Sequence, residues 1–153
     1  MKQYAFLLEY FEKQTSLIKK LYDELIVVDV SIYDKTFLFS LRAQQFYTAI
    51  EALFKQIAKS FENHLETMTN FHREMLLRMK TEVPKIRPAV ISSQSFALLN
   101  KVRAFRDFIL HAYDCELDED ELRLVQSKLI KEYAHVENDL QNFRSYIKKL
   151  ANA

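Results

Sequence analysis

DEDELRLVQSKLIKEYAHVENDLQNFRSYIKKL, residues 118–150, is the stretch that decides the fold class. Its apolar residues are Leu122, Val125, Leu129, Tyr133, Val136, Leu140, Phe143, Ile147 and Leu150, and the steps between them alternate between three and four. That spacing draws one continuous seam along a long helix and leaves the other faces to charged residues. Such a helix gains its stability by burying the seam against other helices, in a bundle or against a second copy. Asp118 with Glu121 three residues on reads as the cap pair that opens it.

Working outward, the rest of the chain repeats the theme. Residues 2–25 read as an amphipathic helix, with Leu7, Tyr10, Phe11, Leu17, Ile18, Leu21 and Leu25 at helical spacing. The β-branched run from Ile26 to Val30 reads as a connector. Ser31 with Asp34 resembles a helix start, and a long helix is expected from there to about Asn63. Its apolar stripe is read as Phe37, Leu41, Tyr47, Phe54, Ile57 and Phe61, interrupted by the polar Gln44 and Glu51. Residues 65–80 form a shorter helix carrying Phe71, Met75, Leu76 and Met79. Pro84 and Pro88 then bracket a loop, because proline removes a backbone donor and restricts the residue before it. Ser92 or Ser93 caps a further helix that is expected to end near Tyr113 and Asp114. The expectation is an all-α, up-and-down bundle of about five helices, formed by residues 1–153 as a single domain.

Composition narrows the function classes. The 153 residues contain no Gly and two Pro, where average usage gives roughly ten and seven. Phosphate-cradling loops of the GxGxxG or GxxxxGK type are therefore absent, and with them P-loop, Rossmann and kinase-like nucleotide sites. A single cysteine, Cys115, excludes an internal disulfide and a cysteine-cluster zinc site. No apolar run reaches the length of a membrane span. Glu9 and Glu12 in the opening segment do not fit a signal peptide, so a cytoplasmic location is expected. Net charge is only +1, but residues 72–106 hold Arg73, Arg78, Lys80, Lys85, Arg87, Lys101, Arg103 and Arg106 against Glu74 and Glu82. A basic middle on a mildly acidic remainder can steer a polyanion towards one face.

Chemistry concentrates in Arg106-Asp107-Phe108-Ile109-Leu110-His111-Ala112-Tyr113. An arginine can grip phosphate oxygens, and a histidine can move a proton near neutral pH. RNA brings its own nucleophile, the ribose 2′-hydroxyl, so these two groups are a minimal kit for cutting it. On a continuous helix Arg106 and Tyr113 share one face and Asp107 and His111 another. Arg106 and His111 diverge by about 140°. A dimer with two motif helices facing each other would bring the pair together and supply two histidines. Asp107 is placed to accept a hydrogen bond from His111, and Arg103 and Lys101 add charge as possible RNA contacts. The other histidines, His64, His72 and His135, show no metal-ligand spacing; His72 reads as a core-edge residue bonded to a backbone carbonyl.

The spacing Arg-x4-His-x-Tyr resembles the signature of HEPN-domain ribonucleases, most of all the HepT branch of toxins. The resemblance extends over roughly residues 33–125. It takes in Leu41-Arg42-Ala43, Phe46-Tyr47, Ile50-Glu51 and Ile57-Ala58-Lys59, then the run His72 to Met79, Arg87 to Ser92, and Phe105 through Asp118. It implies a homodimeric HEPN-like bundle and a metal-independent endoribonuclease, needing no cofactor, that acts as the toxin of a toxin–antitoxin pair. Arg106 and His111 would be catalytic and Asp107 would orient the site. Tyr113 would accept AMP from a nucleotidyltransferase antitoxin of the MNT type, in a higher-order complex. The alternative is a non-catalytic HEPN partner of such a nucleotidyltransferase. Asp107 and Leu110 depart from the residues common at these positions in the family, and Phe71 stands where relatives often carry Trp.

Overall fold

The computed structural model describes residues 2–62, 71–111 and 117–153. They form five helices: α1 (Lys2–Ile26), α2 (Tyr33–Glu62), α3 (Phe71–Lys80), α4 (Ser93–Leu110) and α5 (Glu119–Ala151). No strand occurs among the described residues, and the bundle is all-α as the sequence implies. Helix α2 is the central element and packs against the other four; α5 closes the bundle against α1 and α4, and α3 sits against α2 and α4.

Every member of the α5 seam from Leu122 to Ile147 is buried. It meets Leu7, Phe11, Ile18, Tyr22 and Leu25 of α1. Tyr22 and Tyr133 meet edge to face with ring centroids 3.9 Å apart, and Phe46 of α2 closes the cluster. The Tyr22 hydroxyl donates to the Leu129 carbonyl at 3.2 Å, so the buried phenol keeps a partner. The α1–α2 connector is tied to α5 by Gln126, whose amide donates to the carbonyls of Leu25, Ile26 and Val28. The Leu25 and Ile26 carbonyls belong to the last turn of α1, where the chain leaves acceptors without an intrahelical partner, and Val28 lies in the connector itself.

Two readings of the sequence change. Ser31 does not cap α2. Its backbone N–H and hydroxyl both donate to Asp29, which makes the turn, and α2 begins at Tyr33. These two bonds also hold the Asp29 carboxyl below its ordinary range. The expected α2 stripe holds at Tyr47, Glu51, Phe54 and Ile57, which are buried, but over its first turns the buried arc lies elsewhere. Phe37 and Leu41 are 55% and 50% exposed, while Phe39, Ala43, Phe46, Ile50 and Leu53 are buried. A helix touched on several sides buries a wide arc, and spacing alone does not say where that arc is centred.

The loop between α3 and α4 is built on Arg87, which is 3% exposed. Its guanidinium donates to the carbonyls of Arg78, Thr81 and Pro88 and to the Glu62 carboxylate at 3.1 Å. Burial pulls the Arg87 guanidinium below its ordinary range, and Glu62 opposes this. Val83 and Arg87 pair across a tight turn in which Lys85 takes φ 66°, a left-handed position with no glycine to fill it. Ser92 caps α4, its side chain accepting from Ser95 N–H. Asp139 of α5 in turn accepts from the Ser92 N–H, the Ser92 hydroxyl and the Ser95 hydroxyl. That contact fixes the start of the helix that carries the motif.

Candidate active site

Helix α4 ends at Leu110, and His111 is its C-cap, with φ −111° and ψ 7°. Expected features beyond it, including Tyr113, Asp114 and Cys115, lie outside the described residues, as does His64. His111 is exposed, and its Nδ1 lies 2.8 Å from the main-chain carbonyl of Asp107. Nδ1 is then the N–H donor, and Nε2 is left as the proton-accepting nitrogen. The sequence pointed to the Asp107 carboxylate as the partner, but the residue's carbonyl takes the bond instead. A carbonyl one turn back is the acceptor that a histidine just past a helix end can reach. The carboxylate is occupied by Arg103, whose Nη1 sits 2.9 Å away, while Arg103 Nε donates to Asn100.

Arg106 points elsewhere. Its guanidinium carbon lies 5.9 Å from the ring centroid of Tyr47 on α2. Its Nε and Nη1 are buried and have no hydrogen-bond partner among the described residues. A buried guanidinium nitrogen without an acceptor is costly, so this arginine carries unmet donors in the fold. Tyr47 is fully buried, with its hydroxyl also unpartnered. Burial pushes the Tyr47 phenol far above its ordinary range. Glu51 and Asp107 add to that, and Arg103 and Arg106 oppose it. One turn on from Tyr47, the buried carboxylate of Glu51 holds Nδ1 of His72, on α3. This corrects the reading of His72 as bonded to a backbone carbonyl. Glu51 had a visible signal, since a carboxylate on an apolar face needs a partner. Nothing local in the sequence named that partner, 21 residues away.

Arg106, Arg103 and Asp107 thus gather with Tyr47, Glu51 and His72 where α2, α3 and α4 meet. Lys101 is on the other side of α4, lining a hollow with Ala104, Phe105, Phe108 and the acidic Asp118 and Glu121. His111 stands past the end of the helix, five residues from Arg106 and about 140° around its axis. Among the described residues no cluster of three or more His, Cys, Asp or Glu could hold a metal ion, and no helix is long and apolar enough to cross a membrane.

The family model described as HepT-like protein matches residues 38–147, from the second turn of α2 to the last turns of α5. No curated protein and no solved structure matches the chain. The matched span contains Arg103, Arg106, Asp107 and His111 together with the helices that position them, and the chain belongs to the HepT-like family of HEPN proteins.

Proposed function

We propose that this chain is a metal-independent endoribonuclease, the toxin of a HEPN/MNT toxin–antitoxin pair, working as a homodimer. The observation that carries the reading is the state of the motif's two reactive groups. His111 is an exposed residue whose Nδ1 is committed to a carbonyl, which leaves Nε2 as its proton-accepting nitrogen, and Arg106 has two buried nitrogens with no acceptor among the described residues. His111 Nε2 takes the proton of a ribose 2′-hydroxyl. The 2′-oxygen bonds to phosphorus, the bond to the 5′-oxygen breaks with its electron pair, and that oxygen takes a proton from the imidazolium of His111 of the partner subunit. Arg106 neutralises the charge that builds on the phosphorane oxygens. The products are a 2′,3′-cyclic phosphate and a 5′-hydroxyl. The divergence of Arg106 from His111 favours a site completed across two copies.

Tyr113 is the proposed acceptor of AMP from a nucleotidyltransferase antitoxin. A bulky anion there, two residues from His111, would exclude RNA. In the second reading the chain is a non-catalytic partner of such an enzyme. The Arg103–Asp107 ion pair favours it, because it removes one cation from the RNA-facing charge.

Expression without the antitoxin should arrest growth, and His111→Ala should relieve the arrest. Co-expression with the nucleotidyltransferase should add the mass of AMP to the parent and not to Tyr113→Phe. Equal toxicity of His111→Ala would overturn the catalytic assignment.

A further inference from the structure

One aromatic of the motif is used neither by the core nor by the chemistry above. Phe108 is 48% exposed, while Phe105, three residues back, is buried. Both line a hollow of about 450 Å³ between α4 and the start of α5. Lys101 and Ala104 complete its α4 wall, and Asp118 and Glu121 form the wall opposite. Lys101, Ala104, Phe108 and His111 follow one another at steps of three, four and three, so they share one face of α4. The His111 N–H donates to the Phe108 carbonyl at 3.2 Å, which carries that face into the cap. The hollow therefore sits on the face of α4 that leads to His111, not on the face of Arg106.

An aromatic half in water beside a lysine is a surface on which a nucleobase stacks, and the volume is that of a small-molecule pocket. Two carboxylates on the far wall repel phosphate, so a base enters and the backbone stays outside. The polar groups also sort the bases, because a carboxylate only accepts hydrogen bonds and a lysine only donates them. Guanine offers two adjacent donors, N1–H and the N2 amino group, to the two oxygens of one carboxylate. Its O6 and N7 accept from a lysine. Adenine and cytosine offer a carboxylate one amino group, and uracil one N–H. One oxygen of Asp118 accepts the Asp120 N–H in capping α5, so the two-pronged partner is Glu121.

We propose that this hollow is a guanine subsite, holding the base on the 5′ side of the cut between the Phe108 ring, the Glu121 carboxylate and the Lys101 ammonium. The inference rests on the ribonuclease reading above and names the base at which that site cuts. Phe108 stacks on the guanine, Glu121 accepts from N1–H and N2–H, and Lys101 donates to O6 or N7. The ribose of the same nucleotide then lies toward the end of α4, where His111 takes the 2′-proton. Cleavage leaves guanosine 2′,3′-cyclic phosphate at the new end. These three residues set specificity and move no proton.

The test uses 2′-O-methyl oligonucleotides with one ordinary ribonucleotide, so that a single 2′-hydroxyl can attack. That nucleotide carries guanine, hypoxanthine, adenine, cytosine or uracil. The parent should cut after guanine at least roughly 10-fold faster, in kcat/KM, than after adenine, cytosine or uracil. Hypoxanthine, which lacks the N2 amino group, should lose several-fold. Glu121→Gln should bring guanine to within a few-fold of adenine while cleavage after adenine stays near the parental rate. Phe108→Leu should lower kcat/KM roughly 10-fold on every base, through KM rather than kcat. Glu119→Gln makes the same charge change two residues away, beside Arg123, and should keep the preference. Circular dichroism melts and sedimentation check that each variant is folded and assembled as the parent is. Equal rates on all bases, a preference for a base other than guanine, or a guanine preference that survives Glu121→Gln would overturn the inference and leave the ribonuclease reading standing. No cleavage by the parent, of these substrates or of ordinary RNA, would overturn both.

Discussion

At the scale of single residues, the acceptor that each cation and imidazole finds decides what it is free to do. Because His111 leans on a main-chain carbonyl, Asp107→Asn leaves that bond intact. The same change releases Arg103 from its ion pair. RNA binding by Asp107→Asn should therefore tighten, and the slope of log affinity against log salt should steepen by about 1. An unchanged slope would contradict this division of labour, in which the Asp107 carboxylate holds Arg103 and its carbonyl holds His111. The distinction was not legible in the sequence: both acceptors belong to the same residue one turn back, and only the end of α4 at Leu110 decides between them.

Tyr47 gives a second residue-scale prediction. Its hydroxyl is buried without a partner among the described residues, so Tyr47→Phe removes an unmet polar group while keeping the ring face under Arg106. Stability near neutral pH should be unchanged or higher by up to about 1 kcal/mol. The pH dependence carries a definite sign. The folded phenol holds its proton well above the ordinary range, whereas the unfolded one loses it near pH ~10. Above that pH the unfolded state binds fewer protons than the folded state, so stability falls as pH rises. Each such phenol contributes a slope of at most about 1.4 kcal/mol per pH unit, and Tyr47→Phe should make the fall shallower by one such contribution. Urea midpoints between pH 9 and 11 measure it; an unchanged slope would mean that Tyr47 ionises freely in the fold.

At the scale of elements, helices α4 and α5 are joined by a polar clasp as well as by apolar packing. Asp139 gathers three donors from Ser92 and Ser95 at the start of α4. Asp139→Ala leaves the cap without its acceptor and should cost about 2 kcal/mol, read as a lower urea midpoint. Arg87→Ala strands Glu62 and three carbonyls and should cost about 3 kcal/mol or more. The caps at Ser92 and Asp118 and the whole α5 seam were legible, because each is a local pattern within one turn or one face. The buried arc over the first turns of α2 was not, though Tyr47, Phe54 and Ile57 further along are buried as their spacing implies. Periodicity gives the spacing of its apolar residues, but the choice between Phe37 and Phe39 depends on which neighbours surround it. The Glu51–His72 pair lies beyond local patterns altogether, joining α2 to α3.

At the scale of the whole molecule, the five helices place Arg106 and His111 on different sides of α4, and the proposed site is shared between two copies. Mixing Arg106→Ala with His111→Ala then restores activity. Each mixed dimer carries one site with both groups intact, so random re-pairing should recover about a quarter of the parental rate. Recovery near zero would place both groups in one chain.

The most direct measurement of the central claim is RNA cleavage by purified protein in excess EDTA, beside Arg106→Ala and His111→Ala at matched concentration. The account predicts cleavage by the parent to 2′,3′-cyclic phosphate ends and a loss of roughly 100-fold or more in each variant. A folded, dimeric parent free of AMP on Tyr113 that leaves RNA intact, or variants that cut as fast as it does, would contradict it.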